Sequence, residues 1–595
     1  MKQYAVRAAI APEQSESLKV YPELMRSLLI YRGIDTADKA EIFLNPNFET
    51  GLHDPFLMKD MDKAVERILK AVEAGENILI YSDYDADGIP AAVVLSDFFK
   101  LIEYKNVEVY IPHRHNEGYG LHLEAIETFI EKKITLIITL DCGIVDHAEV
   151  AHAQSLGMDV IVTDHHLPAD TLPPAFAIVN PKRKDCDYPY DMLCGSGVGF
   201  KLVQALLLSL NGKGKEETLA TFSSKKNEGS DSSEARNKIK PGQEKWLLDM
   251  VGIATLSDMV PLLGENRVLA HYGLRVLRKS RRPGFVKLLK MMKVDQRYIT
   301  EDDVGFMITP RINAASRMGV PKDAFYLLST TDETEGVNLA KHLDTINNER
   351  KGLVASTVKE IKKHLIERAE HFAGQKVIVM GNPLWRPALL GLAANTIAEE
   401  YNKPVFLWGR EEGKDIKGSC RSDGVTHLVK LMDNLKDHFI EYGGHAFSGG
   451  FAVHAEKIHT FEDALHQSMI TLGNEAAIAE PLYVEAKLQL EDVSWRVQEM
   501  IDRLAPFGKD NPKPLFMFEN VSPTDVKLFG KTKDHLELTF YTQNKKKVRA
   551  IGFFMKPEDF EIVPKQGIPM TLIGTIEKSY FGGSQEIRLR VVDII

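Results

Sequence analysis

Asn77-Ile78-Leu79-Ile80-Tyr81-Ser82-Asp83-Tyr84-Asp85-Ala86-Asp87-Gly88 is the stretch that decides the fold. Its apolar half is short and unbroken, as a strand buried on both faces of a parallel sheet must be. Its second half places three carboxylates and a glycine where that strand would end. Helix-like residues precede it (61–75, MDKAVERILKAVEAG) and follow it (91–102, AAVVLSDFFKLI).

The same alternation continues outward. Apolar runs at 107–113, 134–141, 158–164 and 175–180 are separated by helical patterns at 122–133 and 147–157. Strands alternating with helices predict a parallel α/β domain. Residues 211–240 interrupt it with Ser, Lys, Glu and Gly and few large apolar groups, and read as a mobile insertion without chemistry.

Residues 334–371 contain no Pro and many helix formers, and predict one long helix bridging two lobes. A second α/β block follows, with apolar strands KVIVM (376–380) and PVFLW (404–408) around the helix 388–401. From Pro481 onward, short strands at near-regular spacing predict a small β-barrel. Residues 1–55 read as a helical lead-in with no chemical signature. There is no internal repeat.

At 595 residues the chain is too long for one core. No apolar run approaches the roughly 18 residues of a membrane span, and the N-terminus has no secretory core. Four cysteines without a C-x-x-C pair disfavour disulfides and zinc ribbons, so the cytoplasm is the expected compartment. The net charge of −10 does not advertise nucleic-acid binding. Acids gathered at a metal site add to that total without facing a substrate, so a local basic track remains compatible with it.

Three strand ends carry the chemistry: Asp83, Asp85 and Asp87 after the first, Asp141 after 134–140, and Asp164-His165-His166 after 158–163. In open parallel sheets, ligands bind beyond the carboxyl ends of the strands. One such Asp is commonly a cap or turn residue. Three clusters at three ends of one sheet are better explained by a site. Carboxylates crowded together repel, and a pair of divalent cations removes that penalty. Mixed oxygen and imidazole ligands suit Mn²⁺ or Mg²⁺, and two such ions suit phosphodiester cleavage.

YSDYDADG (81–88), LDCG (140–143), TDHH (163–166) and TLSDMVPL (255–262) resemble the successive motifs of the DHH phosphoesterase superfamily. Within it the chain is most similar to the RecJ family, through PHRHNEGYGL (112–121), PRINAASRMG (310–319), Asn347-Asn348-Glu349-Arg350, GSCRSDG (418–424), GGHAFSGGF (443–451) and APFGKDNPKPLF (505–516). The resemblance covers about residues 55–595, outside the insertion.

It implies a DHH catalytic domain (56–332), a linker helix (333–372), a DHHA1 domain (373–470) and an OB fold (471–595). It implies two divalent ions held by Asp85, Asp87, Asp141, His165 and Asp258, with Asp83 either ligating or just behind them. Asp164 would orient His165, as partners of metal-bound imidazoles do. His166 would face the scissile phosphate, stabilising its charge or protonating the leaving oxygen. Ser419 and Arg421 match the family's pocket for a 5′-terminal phosphate, and His445 also matches a phosphate contact. Arg114 and Arg311 are further phosphate contacts, with Asn313 and Arg317 as weaker candidates; for any lone Arg the competing reading is an ion pair.

The activity implied is 5′→3′ exonucleolytic degradation of single-stranded DNA to 5′ mononucleotides, in repair and recombination. A helicase and a single-strand-binding protein are partners implied by the family alone, and a monomer is the default. In the barrel region, Lys531, Lys533, Lys545, Lys546, Lys547 and Arg549 with Phe540, Tyr541, Tyr580 and Phe581 could bind a strand and stack bases. Equally, the aromatics could fill the barrel and the lysines mark a hairpin tip.

The sequence departs from the family at Arg386, where His is usual, and at Pro90, Ser448 and Gly449. Two other readings remain. One is a phosphodiesterase of the same superfamily acting on short oligoribonucleotides or cyclic dinucleotides, against which the strand-rich tail argues. The other is a non-catalytic scaffold binding nucleic acid, against which the retained acids argue.

Overall fold

In the computed structural model, which describes residues 4–212, 242–410, 415–473, 482–530, 532–579 and 585–595, the apolar runs form a five-stranded all-parallel sheet. Its order across is Val107–Tyr110, Asn77–Ser82, Ile134–Leu140, Asp159–Thr163, Ala177–Val179. The chain reverses its direction of travel between Asn77–Ser82 and Ile134–Leu140. That reversal opens a crevice beyond their carboxyl ends, where the acids follow.

Alternate residues face opposite sides of the sheet. Leu79, Tyr81, Ile137, Val160 and Val162 meet Ile126, Phe129 and Val150 from the helices Leu123–Glu131 and His147–Ser155. The helices Gly88–Leu101 and Gly195–Leu210 pack on each other, and Leu248–Ser257 packs on both. The first two are buried along most of their lengths, which is why neither shows a sharp polar stripe.

The long helix spans Glu333–Glu367 and is capped by Asp332, which accepts from Glu335 N at 2.7 Å. It stops at Arg368, ahead of a short helix Ala369–Ala373. Neither Gly nor Pro marks that break, so the sequence reads through it to 371. The second sheet has the order Phe439–His445, Ser448–Val453, Ile416–Arg421, Val405–Arg410, Ile378–Gly381, and only its last pair is parallel.

Contacts divide the chain into two units: 55–258 with 276–480, and 1–54 with 259–275 and 481–595. In the second unit a seven-stranded sheet runs from Ala486–Lys487 through Phe516–Val521, Met570–Ser579, Glu586–Ile594, Lys547–Phe553 and His535–Tyr541 to Asp525–Phe529. The lead-in is not a separate element. Leu18, Met25, Leu28, Leu29 and Phe43 share one core with Val497, Ile501, Phe516, Phe540 and Leu589.

Arg267 locks that arrangement. It is 3% exposed, stacks 3.6 Å from the Phe43 ring centroid, and donates to the carbonyls of Phe43, Leu504 and Ala505. The buried Asn511 donates to the carbonyls of Leu504 and Pro506. APFGKDNPKPLF is therefore a packing motif within its own unit. Most of 211–240 lies outside the described residues. Among the described residues no helix is long and apolar enough to cross a membrane.

Candidate active site

The sheet ladder carries straight into the acids. Ser82, Leu140 and Thr163 are in register, and the next amide of each strand bonds its neighbour: Asp83 N to Leu140 O (3.2 Å), Asp141 N to Thr163 O (3.0 Å), Asp164 N to Val179 O (3.1 Å). Asp83, Asp141 and Asp164 thus form one row at the carboxyl edge. Asp141 turns out of the strand with φ +62°, a left-handed conformation that a non-glycine residue holds only at a cost.

The acidic turn is braced from within and from outside. Asp85 Oδ1 accepts from Asp87 N (2.7 Å) and Gly88 N (3.1 Å). A Cβ on Gly88 would lie 2.5 Å from the Asp83 carbonyl oxygen, so only glycine fits. Asp87 is 2% exposed and accepts from Gly195 N (2.6 Å) and Ser196 N (2.7 Å), the first amides of Gly195–Leu210. Those amides need an anion, and the helix dipole favours one there. Asp258 ends the helix Leu248–Ser257, where the dipole disfavours a carboxylate, so its placement serves something other than that helix.

Three sets of ligand atoms each lie within 4.8 Å of one another: Asp83, Asp85 and Asp141; Asp87, His165 and Asp258; Asp141, His165 and His166. Asp141 and His165 belong to two sets each. His165 Nε2 lies 3.2 Å from Asp141 Oδ1, 3.7 Å from Asp87 Oδ2 and 3.8 Å from Asp258 Oδ2. Asp83 Oδ1 and Asp141 Oδ1 are buried without a hydrogen-bond partner.

Charge is missing from this cluster. Burial, then neighbouring carboxylates, drive the Asp83 and Asp141 carboxyls well above the usual range. The same causes push Asp87 up to about 7 and Asp258 up to about 8. Burial, then the charge of His166, hold the His165 imidazole low, leaving a neutral nitrogen among the acids. Converging oxygens, a neutral imidazole and buried unpaired oxygens fit divalent cations, which would remove the repulsion.

The role expected of Asp164 needs correction. Its carboxylate accepts from the amides of His165 (2.7 Å), His166 (3.1 Å) and Ile144 (3.0 Å), but the imidazole it holds is that of His166, at 2.8 Å. In a D-H-H turn at a strand end, the second histidine folds back onto the aspartate, while the first points into the cluster. Burial would lower the His166 imidazole, but its bond to Asp164 and that carboxylate's charge raise it.

A cavity of ≈ 320 Å³ is lined by Asp83, Tyr84, Asp85, Arg114, Tyr119, Asp141, His166 and Asp258. Arg114 reaches it over the Tyr84 ring, 4.9 Å from the centroid. Tyr84 and Tyr119 were not singled out by sequence reasoning. The glycines flanking Tyr119 in E-G-Y-G-L were the available signal.

Two of the expected phosphate contacts are engaged elsewhere. Arg311 is buried, pairs with Asp344 of the long helix at 2.8 Å and donates to Met307 O, so it is a structural ion pair. Asn313 Oδ1 accepts from Ala86 N at 2.9 Å and braces the acidic turn. Arg317 gains what they lose. It donates to Ala388 O at 2.6 Å, and burial, then the charges of Arg114, Arg350 and Arg421, bring its pKa down to about 9.

A Cβ on Gly391 would lie 2.7 Å from an Arg421 nitrogen. Gly391 is one turn from Ala388 on the helix Pro387–Tyr401, so Arg317 and Arg421 meet at its N-terminal end. Ser419 and Arg421 lie on the strand Ile416–Arg421, paired to Gly450 and Ser448. Exposed His445 ends Phe439–His445, the strand on the far side of Ser448–Val453, where Gly444 at φ +144° passes too close to Ser448 O for any side chain. Arg350, whose Nε is buried without a partner, was missed as a separate candidate.

In the barrel region Phe540 is fully buried in the core and cannot stack a base. Tyr541 is half-exposed. Lys546 Nζ donates to Val493 O at 2.7 Å, and Arg549 pairs with Glu537 and Glu586 at 2.8 Å each. The lysine run is thus largely a hairpin tip. Lys531, Tyr580 and Phe581 lie outside the described residues.

Comparisons with known proteins agree with this fold. The DHH family, N-terminal domain, matches residues 77–224, the DHHA1 domain 374–471 and the RecJ OB domain 484–593. The single-stranded-DNA-specific exonuclease RecJ of Bacillus subtilis is 33% identical over 97% of this chain and 68% of its own length. Its namesake from Escherichia coli is 30% identical over 87% and 86%. The crystal structure of RecJ in complex with Mn²⁺ from Thermus thermophilus superposes with a TM-score of 0.77 at 25% identity, covering 100% of this chain and 79% of that one. A DHH domain, a DHHA1 domain and a C-terminal RecJ OB domain thus occur together in this order, and the chain belongs to the RecJ family.

Proposed function

We propose that the chain is a metal-dependent exonuclease that degrades single-stranded DNA in the 5′→3′ direction and releases 5′ mononucleotides, in DNA repair and recombination. The observation that carries this reading is the three ligand sets linked through Asp141 and His165, with Arg114 lining the same cavity. Curated relatives at 30–33% identity bear the name single-stranded-DNA-specific exonuclease.

Asp83, Asp85 and Asp141 would hold one divalent ion, and Asp87, His165 and Asp258 the other; Asp141 Oδ1 lies 3.2 Å from His165 Nε2. Mn²⁺ or Mg²⁺ there supplies positive charge that makes a water molecule acidic and neutralises phosphoryl oxygens. The chain's own groups do the rest. His166, held by Asp164, faces the cavity and offers an imidazole to the scissile phosphate or the leaving 3′ oxygen. Arg114, which lines the same cavity, would add a guanidinium to that phosphate.

Arg317 and Arg421, with Ser419 and His445, receive the 5′-terminal phosphate. A guanidinium pair beside helix amides suits a dianion. Holding that end at a set distance from the acids makes the enzyme cut one nucleotide at a time. The OB domain offers a single strand surface groups such as Tyr541 and Lys533. A nuclease confined to single strands needs a source of them, which a helicase and a single-strand-binding protein would provide to a cytoplasmic monomer.

Digestion with Mn²⁺ of matched single- and double-stranded DNA, labelled at either end, tests the reading. Mononucleotides from the 5′ end of single strands are expected. Turnover confined to di- and trinucleotides would transfer the chain to the oligonucleotide phosphodiesterases of the superfamily.

A further inference from the structure

Tyr119 is held in the cavity by a loop with little freedom. Gly118 and Gly120 flank it at φ +96° and +89°, which glycine alone adopts without strain. A Cβ on Gly120 would fall 2.7 Å from Asp146 Oδ2, the atom that accepts from Leu121 N at 2.8 Å. Tyr81, fully buried in the sheet, donates to Gly120 O at 2.8 Å. Glu117 closes the other side, accepting from the Tyr110 hydroxyl and from His113 N. The sheet and the loop thus fix where the Tyr119 ring sits.

Its hydroxyl touches two residues of the site. It lies 3.1 Å from the Asp141 carbonyl oxygen and 3.0 Å from His166 Nδ1, and its ring meets the His166 ring edge-on at 5.5 Å. A carbonyl only accepts, so the phenolic proton goes to Asp141. The phenolic oxygen is then left to accept from His166 Nδ1. Asp164 Oδ1, 2.8 Å from the same nitrogen, is also an acceptor. Both neighbours therefore require the proton on Nδ1, and Nε2 becomes the nitrogen open to a ligand in the cavity.

We propose that Tyr119 is a positioning residue for the phosphodiester cleavage: with Asp164 it fixes the tautomer and ring orientation of His166. This rests on the proposed cleavage reaction, with His166 facing the reacting phosphate. It adds a requirement: part of the rate comes from a phenol that acts through His166.

The test is a double-mutant cycle on the full chain with Mn²⁺, using Tyr119→Phe, His166→Ala and the pair. Single-stranded DNA and the generic diester bis(p-nitrophenyl) phosphate serve as substrates. Tyr119→Phe is expected to lower kcat about tenfold, with KM and Mn²⁺ affinity within about twofold of the parent. In the His166→Ala background the same change is expected to add less than about twofold.

Two effects that multiply would overturn the proposal, since the phenol would then act independently of His166. A kcat unchanged in Tyr119→Phe would also overturn it. So would a loss restored by more Mn²⁺, which would place its effect on metal binding. Tyr119→Ala, which removes the ring as well, is expected to lose at least as much as Tyr119→Phe. An unmutated chain that cleaves the generic diester but not DNA would instead refute the substrate reading and leave the cycle measurable.

Discussion

The Asp87 carboxylate is seated on the first amide of a helix, with Oδ2 2.6 Å from Gly195 N, and the same Gly195 leaves room for Asp141. A Cβ on Gly195 would lie 2.5 Å from Asp141 Oδ1. One glycine therefore serves acids from two strand ends.

Gly195→Ala is accordingly expected to move Asp141 or the helix end while leaving the fold intact. A displacement of about 1 Å in a reacting centre costs on the order of 100-fold. Activity should fall by about that factor and Mn²⁺ binding should weaken, while circular dichroism stays unchanged. Parental activity in this variant would show that Asp141 has slack that the packing around it does not suggest.

Asp141→Asn should abolish cleavage and yet stabilise the metal-free protein near neutral pH. Asp141 is 3% exposed among Asp83, Asp85, Asp87 and Asp258, so an amide there avoids the cost of burying a charge and the repulsion of its neighbours. Because Asp141 belongs to two of the three ligand sets and lies 3.2 Å from His165 of the third, loss of this one carboxylate should disable the whole centre. Thermal melts with and without Mn²⁺ check both halves: a higher Tm without metal than the parent, and a smaller rise on adding it. A lower metal-free Tm would mean that Asp141 helps hold the apoprotein together.

The pH dependence of the metal-free protein follows from Asp87 and Asp258. Their folded pKa values, about 7 and about 8, lie above the ordinary 3.8. Between roughly pH 4 and 8 the folded state thus binds more protons than the unfolded chain, and stability falls as pH rises. Below about pH 4 both states are protonated and the penalty vanishes; above about pH 8 it is constant. Metal competes with the same protons, so the Tm increment from Mn²⁺ should grow from about pH 5.5 to about pH 8. An increment that shrinks over that range would contradict the charge deficit at the site.

The parallel sheet and its acidic strand ends were legible because both signals are local. Apolar run, turn and carboxylate follow one another within a dozen residues, as at Asn77–Gly88. Roles that depend on partners far along the chain were not legible. Arg311 meets Asp344 and Asn313 meets Ala86, so a motif that looks suited to phosphate is spent on holding two helices and a turn. The lead-in shares its core with residues far down the chain, and no local pattern announces that. Phe540 was ambiguous because an alternating strand offers an aromatic to either face, and burial settles it.

The arginines separate by experiment as they do by geometry. Arg421 lies beside Arg317 at a helix N-terminus, with no carboxylate bound to it among the described residues, and burial lowers its pKa. Arg421→Ala should therefore slow the degradation of 5′-phosphorylated single strands while changing 5′-hydroxyl strands little. Arg311→Ala should make no such distinction. Its guanidinium and Asp344 are mostly shielded from water, and breaking such a pair costs about 3 kcal/mol by leaving Asp344 uncompensated. The expected result is a lower denaturation midpoint with an unaltered preference between the two ends. If Arg311→Ala instead keeps parental stability and selectively loses phosphorylated ends, then Asp344 releases it in the complex and the arginine belongs to the phosphate pocket after all.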